Sequence, residues 1–198
     1  LGKMRGANDA YRYVLERPIK APPGRTFNYN SGATELIGAV LRRVSGKPID
    51  TLARDELFGP LGINDVEWHR RLPDGQPQAS GALRARPRDW AKLGQLVLNR
   101  GLWNDRQIVP SAWIAESIKP HNNGPGLFLY GYHWWLGRSF CRRSIIEWIG
   151  AMGWGGQRLM IVPDLGIVTL VHAWLPNNMT LPESILLNEF VLPAAMAS

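Results

Sequence analysis

A glycine-rich pentapeptide, Gly153-Trp154-Gly155-Gly156-Gln157, lies between two apolar runs. Ile145-Ile146-Glu147-Trp148-Ile149-Gly150 precedes it, and Arg158-Leu159-Met160-Ile161-Val162-Pro163 follows. Asp164-Leu165-Gly166 then turns the chain into Ile167-Val168-Thr169-Leu170-Val171-His172. Apolar, β-branched runs bounded by Gly and Pro-Asp signals predict consecutive antiparallel strands. Glycines that open a strand let a ligand or another backbone approach closely. The pentapeptide can therefore present backbone N–H groups to something bound beside it. Metal chemistry has no comparable signal: the four histidines, His69, His121, His133 and His172, show no ligand spacing. A single cysteine, Cys141, excludes an internal disulfide framework and a cysteine-based zinc site.

The elements that must position this segment are read from periodicity. A short helix over 7–17 has Asn8 or Asp9 as its cap. Pro18, Pro22 and Pro23 end it and impose an extended segment. Leu36, Ile37, Val40, Leu41 and Val44 then recur at helical spacing, predicting a helix over 34–44 with that face buried and Gly46 as its stop. A second amphipathic helix over 48–57 turns Ile49, Leu52, Ala53 and Leu57 inward, and residues 64–79 read as surface loop with one strand at 66–68. Further helices are predicted over 87–99, with Leu93, Leu96 and Val97 inward, and over 110–117. Residues 119–130 read as loop, 130–136 as an aromatic strand, and 181–195 as a closing helix interrupted near Pro193. Helices and loops first, then an antiparallel meander, then a helix, is an α+β order.

The chain has 198 residues, 45% of them hydrophobic, which suffices for a real core. No apolar stretch reaches the eighteen residues or so of a membrane span. The formal charge is +7, which raises nucleic acid as a partner. The arginines come in short groups such as Arg42-Arg43 and Arg70-Arg71, without a nucleic-acid-reading motif. Solvated arginines are the expected reading, and nucleic acid is not an expected partner.

Five blocks, in order along the chain, resemble the serine β-lactamase and penicillin-binding-protein superfamily. They are similar to its class C-like branch, which includes esterases and 6-aminohexanoate-dimer hydrolases. The blocks occupy residues 22–32 (P-P-G-R-T-F-N-Y-N-S-G), 60–63 (P-L-G-I), 80–96 (S-G-A-L-R-A-R-P-R-D-W-A-K-L-G-Q-L), 130–136 (Y-G-Y-H-W-W-L) and 153–168 (G-W-G-G-Q-R-L-M-I-V-P-D-L-G-I-V). The resemblance implies an antiparallel sheet flanked by helices and acyl transfer from an ester or amide through an acyl-enzyme. In that chemistry a serine of a Ser-x-x-Lys motif attacks the carbonyl. A lysine and the tyrosine of a Tyr-x-Asn motif move the protons, and backbone N–H groups hold the oxyanion. No cofactor and no metal are implied.

By this resemblance Tyr29 stands at the tyrosine of Tyr-x-Asn and Ser31 where the asparagine usually stands. A phenol, with an ordinary pKa near about 10, needs a neighbouring cation to act as a base at neutral pH. Ser31 keeps a hydroxyl but loses the amide's two-ended recognition. Read from their own surroundings, Tyr29 anchors a loop and Ser31 caps a helix starting near Ala33. Trp154-Gly155-Gly156 corresponds to the Lys-Thr-Gly position that lines the pocket, and Gln157 to the residue whose N–H completes the oxyanion hole. Trp154 cannot hold a carboxylate as lysine would, which favours neutral esters and amides over β-lactams.

No serine of the chain is followed by lysine three residues later. The expectation is therefore the C-terminal portion of one hydrolase domain over 1–198, with a helical and loop lobe over 18–120 and strands plus a helix over 130–198. The nucleophile segment and the first strands lie outside it, leaving this isolated chain inactive or a ligand-binding module. A missing N-terminal segment or self-association would then cover exposed apolar surface. The resemblance makes a bacterial periplasmic or secreted location plausible and leaves the cytoplasm open.

Overall fold

The computed structural model describes residues 2–174 and 185–197. The chain divides between Arg86 and Pro87 into two units.

The first unit holds α1 (Gly2–Arg5), α2 (Ala10–Leu15), α3 (Ser31–Ser45) and α4 (Ile49–Ala53), the last running into a wide π-helical turn at Arg54–Phe58. A small antiparallel pair, β1 (Val66–Trp68) with β2 (Leu83–Ala85), completes it. Asp9 caps α2, its carboxylate accepting the Arg12 N–H at 2.9 Å. Asn30 caps α3, its Oδ1 accepting the N–H groups of Gly32 at 2.9 Å and Ala33 at 3.4 Å. The cap is thus Asn30 and not Ser31, which is already the first helical residue. Gly46 ends α3 at φ 70°, a left-handed conformation that glycine adopts without strain.

The buried face of α3 differs from the apolar periodicity. Ile37, Val40, Leu41 and Val44 are exposed, Val44 at 82%, while Glu35 is only 1% exposed and Gly38 is buried. The Glu35 carboxylate accepts the backbone N–H of Ala79 at 2.8 Å and of Ser80 at 3.0 Å. Gly38 permits the close approach: a Cβ there would lie 2.7 Å from that of Ala79. Two charge-assisted hydrogen bonds and a glycine contact set the helix's rotation here, against its apolar stripe. A small core of Met4, Ala10 and Leu72 packs with Tyr11, Tyr13 and Val14 elsewhere in the unit.

The second unit is built on a six-stranded antiparallel sheet in the order β10-β9-β8-β7-β6-β5. Its strands are β5 (Asn122–Asn123), β6 (Leu129–Tyr130), β7 (Trp135–Cys141), β8 (Ser144–Met152), β9 (Arg158–Val162) and β10 (Ile167–Val171). Before them come α5 (Pro87–Leu98), a hairpin of β3 (Leu102–Trp103) and β4 (Arg106–Gln107), and α6 (Ser111–Ser117). Side-chain alternation splits the core between the two faces. Ile149 and Ile161 pack with Val97 of α5 and Ile114 of α6. Ile146, Trp148, Met160 and Val162 pack with Leu187 and Leu192 from the C-terminal helical segment. That segment is a π-helical stretch, Leu186–Val191, leading into α7 (Leu192–Ala195).

The expected loop over 119–130 contains the short strands β5 and β6, and the expected aromatic strand is broken in two. Gly131 is pressed against the Ser117 carbonyl, where a Cβ would lie 2.3 Å from the oxygen, and His133 takes φ 65°. The chain turns at that contact, so Tyr130 falls on β6 and Trp135 on β7, with Tyr132 and Trp134 on the connection between them. The start of the expected closing helix, 181–184, lies outside the described residues. Pro193 does not interrupt the helix; it stands in the first turn of α7, where a proline's missing N–H is tolerated. With its antiparallel sheet flanked by helices the molecule is α+β.

Candidate functional site

The candidate residues divide between the two units. In the first, Tyr29 precedes the α3 cap and Ser31 opens the helix. Tyr29 is 62% exposed. The segment Tyr29-Asn30-Ser31 is held by the Asn30 cap at one end and by close packing at Gly32, where a Cβ would lie 2.9 Å from a Val14 methyl. These contacts fix where the phenol's backbone and the Ser31 hydroxyl emerge.

In the second unit residues 153–157 form the turn between β8 and β9. Trp154 therefore sits on a turn at the end of the sheet, ahead of the strand rather than within it. The Gly153 N–H donates to the Gln157 carbonyl at 2.8 Å, closing the turn. Gly155 at φ 78° and Gly156 at φ 96° take conformations that a side chain would strain. Arg158 locks the arrangement: its Nη1 donates to the carbonyl of Gly153 at 2.7 Å and to that of Gln157 at 2.9 Å. The Gln157 side chain is also committed, its Nε2 donating to the Ala173 carbonyl at 2.8 Å. Trp154, Gly155, Gly156 and Gln157 are thus gathered on one braced backbone loop. A loop braced in advance of binding suits a fixed dipole, since nothing must reorganise when charge develops.

One neighbour escaped the sequence reading. Trp174 packs edge-to-face on Trp154, with ring centroids 5.1 Å apart and planes at 73°. The signal was present, a tryptophan three residues beyond an apolar strand, but its partner emerges only from the β9–β10 register. Arg158 faces Val171, which carries the segment after β10 back alongside the turn.

Among the described residues no group of three or more histidine, cysteine or acidic side chains could hold a metal ion. No helix among them is long and apolar enough to cross a membrane.

The Beta-lactamase family model matches residues 2–186. The chain belongs to this family. Its structure is similar to that of a Bacillus anthracis protein assigned as a 6-aminohexanoate-dimer hydrolase, at TM-score 0.72 and 28% identity, covering 86% of this chain and 44% of the other. It is also similar to a Bacteroides dorei protein assigned as a beta-lactamase, at TM-score 0.71 and 18% identity, covering 85% and 56%. A penicillin binding protein from Bacillus halodurans matches at TM-score 0.64 and 19% identity, covering 82% and 57%. The chain thus spans about half the length of these structures. No curated protein sequence matches it. The fold is that of β-lactamase-related, penicillin-binding-protein-like hydrolases.

Proposed function

We propose that this chain supplies residues of an acyl-transfer site that cleaves a neutral ester or amide through an acyl-enzyme. In this reading both units belong to one hydrolase domain. Tyr29 moves a proton to or from the nucleophile or the leaving group, and the Ser31 hydroxyl hydrogen-bonds nearby. The Gln157 N–H donates to the oxyanion, and Trp154, Gly155 and Gly156 line the pocket. The observation that carries the reading is the braced turn: Arg158 holds both the Gly153 and Gln157 carbonyls, so the backbone carrying the Gln157 amide is fixed before substrate arrives.

The nucleophilic serine comes from polypeptide outside these 198 residues, since no serine here has a lysine three positions on. The half-length coverage of the similar structures supports this. The companion is an N-terminal segment of a longer protein; a second copy of the chain carries the same serines, so self-association would cover apolar surface without supplying the nucleophile. The missing Ser-x-x-Lys also favours a second reading, a ligand-binding module of the same fold without turnover.

Hydrolysis of p-nitrophenyl acetate by the protein extended upstream separates the two. The acyl-transfer reading expects turnover that Tyr29→Phe lowers about 10²–10⁴-fold, the usual range for one proton-transferring group. A folded extended protein without turnover overturns it in favour of the binding module.

A further inference from the structure

We propose that the tip of the β7–β8 hairpin docks on an anionic phospholipid surface, with Phe140 and Ile145 entering the headgroup layer and the arginines around them meeting lipid phosphates. Docking here requires neither turnover nor a nucleophile.

The two strands alternate between two faces. On one face Cys141, Ile146 and Trp148 are buried with Leu187 and Leu192 of the C-terminal helical segment. On the other face the cross-strand pairs run outward from the core: Leu136 opposite Ile149, Arg138 opposite Glu147, Phe140 opposite Ile145. Leu136 and Ile149 pack with Val97 of α5 and Ile114 of α6. The outermost pair is left bare, Phe140 at 73% and Ile145 at 65% exposed. The hairpin thus ends in two large apolar side chains, side by side and in water.

Arginines surround that pair. Arg142 and Arg143 make the two-residue turn between Cys141 and Ser144, at φ 47° and 67°. Glycine, asparagine or aspartate normally fills such positions, because a longer side chain is strained there. The Arg142 guanidinium donates to the Met196 carbonyl at 2.6 Å, which pins the tip while leaving the charge uncompensated. Arg143 is exposed and makes no ion pair among the described residues. Arg138 donates to the Glu147 carboxylate at 3.1 Å, so that glutamate offsets one of the three arginines.

Shape and size decide the partner. A stable protein interface takes about 800 Å² and some twenty to thirty residues from each side. The hairpin end offers one apolar pair and a charged rim on a convex turn. Duplex nucleic acid would meet the arginines and leave Phe140 and Ile145 in water. A bilayer surface uses both features: apolar side chains insert, and each cation near an anionic surface adds a modest attraction. The guanidinium fork suits phosphate oxygens, and its stem can lie along inserted apolar groups. The nine residues of β8 separate the tip from the 153–157 turn. At about 3.3 Å per residue that is about 30 Å, so docking by the tip holds the turn away from the lipid.

The test uses this chain and vesicles of phosphatidylcholine, with and without phosphatidylglycerol, read by co-sedimentation. Binding is expected to the mixed vesicles and should fall as salt rises. Phe140→Ser with Ile145→Ser should lower the partition coefficient about ten- to a hundred-fold without loss of fold, since both residues are exposed. Arg143→Gly should lower it about five-fold, for one charge, while raising the unfolding temperature, because glycine relieves the turn. A spin-labelled lipid should broaden the amide NMR signals of residues 140–145 and spare those of 153–157. Absence of binding to the mixed vesicles overturns the proposal, as does equal binding to phosphatidylcholine alone. Binding that the serine changes leave intact in folded protein also overturns it, assigning the attraction to basic charge alone. So does a dimer that those changes dissolve, which gives the apolar pair to a second copy. Broadening strongest outside 140–145, or loss of binding in the protein extended upstream, overturns it equally.

Discussion

Helix α3 of the first unit and helix α5 of the second both carry apolar residues at helical spacing, and both bury a glycine. In α5 the glycine shares a face with the apolar Val97, three residues on. Gly94, Leu96 and Val97 are buried, and a Cβ on Gly94 would lie 2.6 Å from a Val168 methyl and 2.9 Å from one of Leu159. In α3 glycine and apolar residues part company, with Glu35 and Gly38 inward and the stripe Ile37, Val40, Leu41 and Val44 outward. The difference lies in what each helix meets. The strands under α5 pair with each other and meet the helix at Gly94 with apolar side chains, Val168, Leu159 and Ile161. The loop beside α3 offers two backbone N–H groups that need an acceptor, and Glu35 supplies it. Leaving such groups buried and unpaired costs more than exposing a few methyl groups recovers.

Five changes would break or sharpen this comparison. The largest effect is expected from Glu35→Ala, which strips two part-buried N–H groups of their acceptor. It should destabilise the first unit by about 3 kcal/mol in urea unfolding. A cost under about 1 kcal/mol would mean that the clasp does not set the rotation of α3. Gly94→Ala tests the other helix: forcing a methyl against Val168 and Leu159 should cost about 1–3 kcal/mol, read from the same transition in the second unit. Asn30→Ala removes the α3 cap and should cost about 1 kcal/mol, with the helix fraying first at Ser31 and Gly32. The double change Val40→Ser and Val44→Ser should alter stability by no more than about 0.5 kcal/mol, since both residues are exposed. A large loss there would show that the stripe is covered in solution.

The smallest effect is electrostatic. The Lys119 ammonium bonded to Glu116 at 2.6 Å holds that carboxyl below the ordinary glutamate range. A lowered carboxyl pKa means that the pair contributes above the ordinary range and that its contribution is lost as pH falls through the lowered value. An NMR titration should show Glu116 moving back toward its ordinary value in Lys119→Ala.

Much of this architecture is legible in the residues. The β8, β9 and β10 strands follow their β-branched runs, because each is bounded by turn signals and is buried or half-buried over most of its length. The α5 bounds and the Asp9 and Gly46 helix ends follow local capping chemistry. What was hidden depends on contacts between distant positions. The rotation of α3 is decided by Ala79 and Ser80, more than forty residues from Glu35. The break in the aromatic strand is decided by the approach of Gly131 to Ser117. Of the candidate site, the turn and its glycines could be read directly, because their conformation is a local demand. Trp174 could not, because its place beside Trp154 follows from the register of β9 with β10. Family membership rested on the order of five weak blocks rather than on any one of them.

The central claim is that this chain bears residues of an acyl-transfer site and that its nucleophile lies elsewhere. Labelling with a fluorophosphonate, followed by mass spectrometry of the modified peptide, tests it most directly. The account predicts that the chain of 198 residues is not labelled. The protein extended upstream should be labelled at a serine of a Ser-x-x-Lys motif, with the rate lowered by Tyr29→Phe. A label on Ser31 or any other serine of this chain alone, or a folded extended protein that takes no label, would contradict it.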